Sequence, residues 1–371
     1  MKKIIFKKFN SDVTNFFLIS GLSITLIIWT IQAVNFLDII SEDGHGFKVY
    51  FQYTFLNYPK IVSKILPFVF FISLFYVITK YEDENQLSIY WNHGINKILF
   101  IKNIFYFSII FMIIQILISL FIVPYSQDKS RSYIRSSGID FLPNLMKERK
   151  FIDTMSNLTI YIDKIDLNNR YTNIILKDQI TNSKSQIIYA KKGQLMKENE
   201  NFYLILNDGE IINLNNDRIN KFNFEKTVFN ISKFSTKTTT YPKIQERRTA
   251  SLLKCLMYLD NKIIYPESFI DMNCDNKSRK PIIRELFKRV ISPIYIPIIA
   301  LLVSILIFRD RHQINYKFFK IKIFIITLFA LFASELSMRF IGISTNINYI
   351  TSLFPFFILF SIYIFIKKKL N

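Results

Sequence analysis

Six stretches of apolar residues, each about twenty long, dominate the chain, and each is long enough to cross the hydrocarbon core of a bilayer as a helix. They run over 14–37, 61–79, 98–123, 288–308, 321–343 and 347–366, and charge, Asn, Pro or Gly bounds each one. Backbone polar groups in lipid must be satisfied within the span itself, so six such stretches specify a polytopic α-helical membrane protein with six transmembrane helices. Lys2, Lys3, Lys7 and Lys8 precede the first stretch as they would in a signal peptide. That stretch is too long for one, however, and it ends in LDIISEDG without a small-residue cleavage site, so a retained helix is expected.

Lysine and arginine near the helix ends set the expected orientation. The N-terminus is basic, as is the C-terminus with Lys367, Lys368 and Lys369. The loop after the fourth stretch carries Arg309, Arg311, Lys317, Lys320 and Lys322, whereas GISTNIN between the last two carries none. Both termini and the 80–97 loop are therefore expected in the cytoplasm, with residues 124–285 outside. The net charge of +20, from 48 basic and 28 acidic residues, could suggest nucleic-acid binding. The abundance of Ile, Phe, Lys, Asn and Tyr beside only 8 Gly points instead to AT-rich coding, and the remaining excess serves topology, so no nucleic acid is expected as a partner.

Between the third and fourth stretches the hydrophobic period changes to two. LTIYIDKI (158–165), YTNIILKD (171–178), 185–198, 201–214 and 217–232 alternate, with short polar turns between them. This is the pattern of an antiparallel all-β domain, sandwich or jelly-roll-like. In LTIYIDKI one face carries Leu158, Ile160 and Ile162, which are expected to point inward. LLKCLMYL (252–259) reads as a short helix leading back to the membrane. The expected organisation is 1–123 for helices one to three, with the 80–97 loop between the second and third; 124–285 for the inserted β domain and its linkers; and 286–371 for helices four to six.

Catalytic chemistry is missing from the pattern. A phosphate-cradling G-x-x-x-x-G-K-[ST] loop needs glycines five apart. The glycines stand at 21, 44, 46, 94, 138, 193, 209 and 342, and no two have that spacing. Neither G-x-S-x-G nor H-E-x-x-H occurs. His45, His93 and His312 are scattered, and Cys255 and Cys274 lack metal-ligand spacing, so neither cofactor nor metal is expected. Any energetic work must be driven by a partner. Both cysteines fall on the expected outer side, where a disulfide can form.

Three features remain, each open to two readings. The loop KYEDENQLSIYWNHGINK (80–97) passes from acidic residues to Leu87, Ile89, Tyr90 and Trp91, and Gly94 ends it. It is an interfacial helix in the headgroup belt or a docking helix for a cytoplasmic partner. Glu335 and Arg339 stand four apart in the fifth stretch, where ionisable groups are costly; they are a self-paired couple near the interface or face a bundle interior. Arg284, Lys288 and Arg289 begin the fourth stretch on the expected outer side, as a solvated amphipathic lead-in or as a cationic lip for anionic headgroups.

The whole plan resembles the LptF/LptG family, the permease subunits of the lipopolysaccharide-export ABC transporter of Gram-negative bacteria. ILPFVFFISLFYVITKY (65–81), NQLSIYWNHGINK (85–97), FIVPYSQDKSRSY (121–133) and RELFKRVISPIYIPIIALL (284–302) carry the resemblance in order and spacing across nearly the full chain. FIDTMSNLTIYIDKID and the 124–150 linker look more like the LptF branch. The resemblance implies a subunit of the bacterial inner membrane without its own nucleotide site. It works beside a paralogous permease subunit, a cytoplasmic ABC ATPase dimer and a single-span jelly-roll partner, and its cargo is lipopolysaccharide. It also implies that the ATPase couples through Glu84, Gln86, Leu87, Tyr90, Trp91 and Gly94; that the lipid path includes Ile160, Ile162, Leu204, Glu335 and Arg339; and that Arg284, Lys288 and Arg289 form a headgroup lip. The coupling segment usually has an acidic residue where Gln86 stands, so either Glu84 takes that role or a neutral contact replaces it. The competing reading is a membrane-anchored sensor or envelope assembly factor whose β domain binds a protein ligand. The cytoplasmic segments, all under about 20 residues in the expected topology, leave little room for its output domain.

Overall fold

The computed structural model describes residues 2–37, 40, 46–136, 146–155, 157–166, 170–181, 184–198, 201–215, 218–231, 243–260, 274–313, 315–342 and 345–370. It divides into two compact units: residues 1–30, 57–128 and 243–371 form one, and residues 31–56 and 129–242 the other. Among the described residues six helical spans are long and apolar enough to cross a membrane: Lys2–Asn35, Phe47–Asp83, Lys97–Ile134, Asn276–Phe308, Tyr316–Phe340 and Asn346–Lys369. Most extend well beyond the apolar stretches in the sequence. Hydropathy marks only the part of a helix that suits lipid, and polar turns such as those of 276–287 stay helical outside it.

The helices are α1 (Lys2–Asn35), α2 (Phe47–Leu56), α3 (Tyr58–Asp83), α4 (Gln86–Asn92), α5 (Lys97–Leu117), α6 (Val123–Ser136), α7 (Thr249–Leu259), α8 (Asn276–Val290), α9 (Tyr295–Ser304), α10 (Tyr316–Phe340) and α11 (Thr345–Leu370). A π-helical turn, Ile118–Ile122, joins α5 to α6, and 3-10 turns flank α9. At the centre of the helical unit lies α9. It packs against α3, α5, α10 and α11, and Tyr295 to Leu301 are all buried. Helices that are apolar on every side belong inside a bundle, and YIPIIALLVS has no polar face to present outward. The more peripheral α1 keeps Leu18, Leu22, Leu26 and Ile27 exposed, as a lipid-facing helix does, and anchors itself near its N-terminus. There Phe9 meets Tyr81 and Phe100 edge-on, and Tyr81 Oη donates to Asp12.

The second unit contains a six-stranded antiparallel sheet: β1 (Phe151–Met155), β2 (Leu158–Ile165), β3 (Arg170–Thr181), β4 (Lys184–Glu198), β5 (Asn201–Asn215) and β6 (Arg218–Asn230). Five strands agree with the alternating segments, and β1 is additional; at five residues it is too short to show a period. The insert carries an antiparallel sheet, as expected, and the described strands run in chain order as an up-and-down meander, while residues 243–285 belong to the helical unit. Cross-strand rows build its core. One runs Ile152, Ile160, Leu176 and Ile188, with the partly buried Ile211 beside it and the exposed Phe222 at its β6 end. In the next row Ala190 lies beside Gly209, and Gly209 beside Phe224. A Cβ at Gly209 would collide with the Tyr189 carbonyl and the Phe224 ring, so glycine lets that ring lie over the strand.

Cys255 of α7 and Cys274 before α8 are joined by a disulfide, with 6.0 Å between their Cα atoms. Arg279 pairs with Asp260 at 2.7 Å beside it, so α7 and α8 are tied by a covalent and an ionic link.

Candidate functional site: a latched loop and a cationic cavity

The helical unit carries chemistry at both ends of α3. Its C-terminal end leads into the 80–97 segment. Asn85 takes a left-handed conformation (φ 58°) and Gly94 another (φ 76°), so α4 is a short helix set off by two sharp turns. The left-handed region costs glycine nothing and suits Asn better than most residues.

Leu87 is 1% exposed and Tyr90 is buried. Tyr90 lies edge-on to Tyr81, and Trp91 edge-on to Phe100. These apolar side chains therefore face this chain's own core. The outward surface of the segment is Glu84, Asn85, Ile89, Asn92 and His93, with Ile89 51% exposed. Gln86 Nε2 donates to Glu84 Oε2 at 2.6 Å, so the neutral amide steadies the carboxylate.

The segment is latched to residues 307–320. The Arg311 backbone N–H donates to Glu82 Oε1 at 2.7 Å, and the Arg311 guanidinium donates to the Asp83 carbonyl at 2.6 Å. Lys320 pairs with Asp83 at 3.4 Å. From the other side Lys97 Nζ donates to the Ile307 carbonyl at 3.1 Å and pairs with Asp310 at 3.5 Å. Sequence reasoning read Arg309 and Arg311 only as topology signals. Nothing in the spacing of residues more than two hundred positions apart could have joined them to Glu82.

About 30 Å along the helix, at 1.5 Å per residue, the N-terminal end of α3 lines a cavity of about 300 Å³. Lys60, Ser63, Lys64 and Pro67 come from α3, Gln115 from α5, and Ser119, Val123 and Gln127 from the π turn and α6. Glu285, Lys288 and Arg289 come from α8, and Glu335 from α10. The π turn frees backbone carbonyls from the helical ladder, and Thr249 Oγ1 captures that of Leu120 at 2.7 Å. Ser63 Oγ lies 3.1 Å from Ser119 Oγ, and Gln115 Nε2 donates to the Ser63 carbonyl at 2.6 Å. Gln115 and Gln127 are 6% and 3% exposed, and among the described residues the buried Oε1 of each has no hydrogen-bond partner.

The expected lip divides among three roles. Arg289 is buried and fully engaged: Nε bonds Glu285 at 3.0 Å, Nη1 donates to the Arg247 carbonyl and to Thr249 Oγ1, and Nη2 donates to the Gln245 carbonyl. It fastens the chain arriving at α7 onto α8. Arg284 donates to the Arg339 carbonyl at 2.8 Å, so it binds the end of α10. Lys288 lines the cavity and, alone of the three, forms no ion pair or hydrogen bond among the described residues. Glu335 lines the same cavity, and among the described residues it forms no ion pair with Arg339. Ser63, Gln115, Ser119 and Gln127 were missed. Neutral polar residues in an apolar span were the signal, since they too are costly in lipid unless they face an interior.

In the β domain, Ile160, Ile162 and Leu204 meet in a single core, each 1% exposed or less. The chain's own side chains fill that interior. These residues belong to the other compact unit, apart from Glu335 and Arg339.

Residues 9–369 match the family model described as lipopolysaccharide export system permease LptF/LptG. The chain is also 24% identical over 303 residues to an uncharacterized protein of Rickettsia prowazekii (strain Madrid E), covering 80% of each.

Proposed function

Because the chain belongs to the LptF/LptG family of lipopolysaccharide export permeases, we propose that it is one half of a permease, of the LptF branch, that extracts lipopolysaccharide from the bacterial inner membrane. A separate ABC ATPase dimer drives it, a paralogous subunit completes it, and a single-span jelly-roll partner receives the lipid from its β domain. Both termini are cytoplasmic and the β domain is periplasmic. Export of this cargo needs a protein path because exposing acyl chains to water costs about 0.8 kcal/mol per CH₂.

The observation that carries this reading is the latch between 80–97 and 307–320. A subunit moved by an external ATPase needs a small outward-facing element fixed rigidly to its spans. Five polar links hold the residues on either side of α4, Glu82 and Asp83 at the end of α3 and Lys97 at the start of α5, to residues 307–320 after α9. Force on Glu84 and Ile89 therefore reaches α9, the most buried helix of the bundle, without bending the loop. Leu87, Tyr90 and Trp91 shape α4 from inside, and Gly94 permits its exit turn.

The test is co-purification of the ATPase with the chain in detergent. Ile89→Asp is expected to release the ATPase from a chain that still inserts. Glu84→Ala is expected to weaken the complex about tenfold and to flatten its salt dependence, since a charge-assisted bond exceeds a neutral one by roughly 1 kcal/mol or more. Retention of the ATPase by both variants would remove the coupling assignment.

A further inference from the structure

Among the described residues the chain has one π turn, Ile118–Ile122, where α5 becomes α6, and there the Val123 N–H reaches back to the Ile118 carbonyl. Such a turn holds one residue more than an α-helical turn and leaves a carbonyl outside the ladder. In an apolar span that carbonyl needs a donor from elsewhere, or the turn reverts to α and re-aims the helix beyond it. Thr249 supplies the donor. Its hydroxyl donates to the Leu120 carbonyl at 2.7 Å and accepts from Arg289 Nη1 at 2.8 Å. A hydroxyl has one proton, so this one is committed to the π turn. Arg289 also grips the Gln245 and Arg247 carbonyls, which fixes the start of α7 to α8, and α8 packs against the turn. All of these residues lie in one compact unit.

The far end of α7 is fixed by the Cys255–Cys274 disulfide and the Arg279–Asp260 pair. Cys255 lies about 9 Å along the helix from Thr249, at 1.5 Å per residue. Leu252 and Ile282, both fully buried, share a small core with the two cysteines. With 11 residues, and Leu253 and Met257 exposed, α7 is too short to hold its place alone, so its fastenings decide where Thr249 stands. The burial of the sulfurs decides when the covalent fastening can form. Cys255 is 1% and Cys274 8% exposed, and thiol–disulfide exchange requires a thiolate to reach a sulfur. Once α7 is docked, neither an oxidant nor a reductant reaches them.

We propose that this disulfide is an oxidative maturation step that locks the π turn through Thr249, made once before α7 docks and not reversed in the folded chain. The two thiols lose two protons and two electrons to a disulfide-bearing oxidant; the bond between Cys255 and Cys274 forms and the oxidant leaves as a dithiol. The chain is then a client of thiol–disulfide exchange on the side of the membrane that holds α7, and Thr249 is a positioning residue for the bend between α5 and α6. The bearing of the lock on lipid export rests on the permease reading; the lock itself does not.

The test uses the full-length chain in phosphatidylcholine nanodiscs, with maleimide spin labels on Y106C and Y125C. These exposed positions flank the turn, roughly 28 Å apart at 1.5 Å per residue, and their separation reports the bend. The parent is expected to show one narrow distance. C255A/C274A and T249V should both lose it, at size-exclusion profiles matched to the parent, whereas T249S keeps the hydroxyl and should retain it. C255A/C274A/T249V should be no broader than either, because the changes act through one contact. A phosphine reductant should leave the folded parent oxidised and open the disulfide only after denaturation. With the ATPase and partner subunits present, C255A/C274A should deliver about tenfold less lipopolysaccharide per ATP hydrolysed, the scale of one lost hydrogen bond. A narrow distance that survives in C255A/C274A overturns the lock, as does a triple variant that adds the two effects. Ready reduction of the folded parent overturns the single, irreversible step. Parental lipid delivery by C255A/C274A removes the lock's role in export. If the distances behave as expected but the parent itself delivers no lipid, the lock stands and the permease reading alone falls.

Discussion

Glu82 accepts the backbone N–H of Arg311 at 2.7 Å, and Arg311 returns its guanidinium to the carbonyl of Asp83 at 2.6 Å. Glu82 is 5% exposed and its bond is partly buried, whereas the bond to Asp83 lies at the surface; together they fix the end of α3 to the segment after α9. Glu82→Ala removes a partly buried hydrogen bond of the Arg311 N–H, at a cost of about 1 kcal/mol. The variant should still bind the ATPase, because Glu84 and Ile89 are untouched, yet lose most of the lipopolysaccharide transport per ATP hydrolysed. Comparing ATPase rate with lipid delivery in proteoliposomes checks it. Equal coupling in parent and variant would show that the latch transmits nothing.

Topology can be read chemically because the chain's two cysteines are held in one disulfide and leave no free thiol. A cysteine placed at the exposed Lys191 of β4 should react with an impermeant maleimide in intact spheroplasts, and one at the exposed Asn92 only after lysis. The opposite pattern would invert the proposed orientation.

The β domain stores its apolar row behind its own side chains, so a lipid can enter only if the sheet opens along an edge. A photoreactive residue at Ile160 or Leu204 should capture lipopolysaccharide only when ATP is turned over. Ile162→Ala should destabilise the closed domain by about 2–5 kcal/mol. Capture independent of ATP would assign these residues a purely structural role.

Burial pushes the Asp178 carboxyl on β3 above its usual value. A carboxylate whose folded pKa is raised is tolerated best when protonated, so its favourable contribution is present in acid and is lost as pH rises through the folded value. Asp178→Asn should therefore stabilise the β domain at neutral pH and lose that advantage near pH 4, the ordinary range of a carboxyl. Hydrogen exchange of β2 and β3 amides in the full chain, followed against pH, measures it. Stabilisation that persists unchanged in acid would mean the charge is not its source.

Local pattern alone determined the architecture. Twenty apolar residues in a row have few alternatives to a span, and strict alternation over 158–214 fixed which side chains face the core, because a strand's period of two leaves no freedom once one face is buried. The same reasoning found 80–97 as a separate element but did not fix which way its side chains face. Leu87 and Tyr90 turn inward because Asn85 and Gly94 bend the chain around α4, and only the packing of Tyr81 and Phe100 shows which way. Arg289 likewise looked like a headgroup ligand until tertiary contacts supplied four acceptors from 245–249 and Glu285. The cavity and the latch were decided by tertiary structure alone. Each joins residues far apart in the chain, and hydropathy or periodicity, being local, carries no information about which distant polar groups will meet.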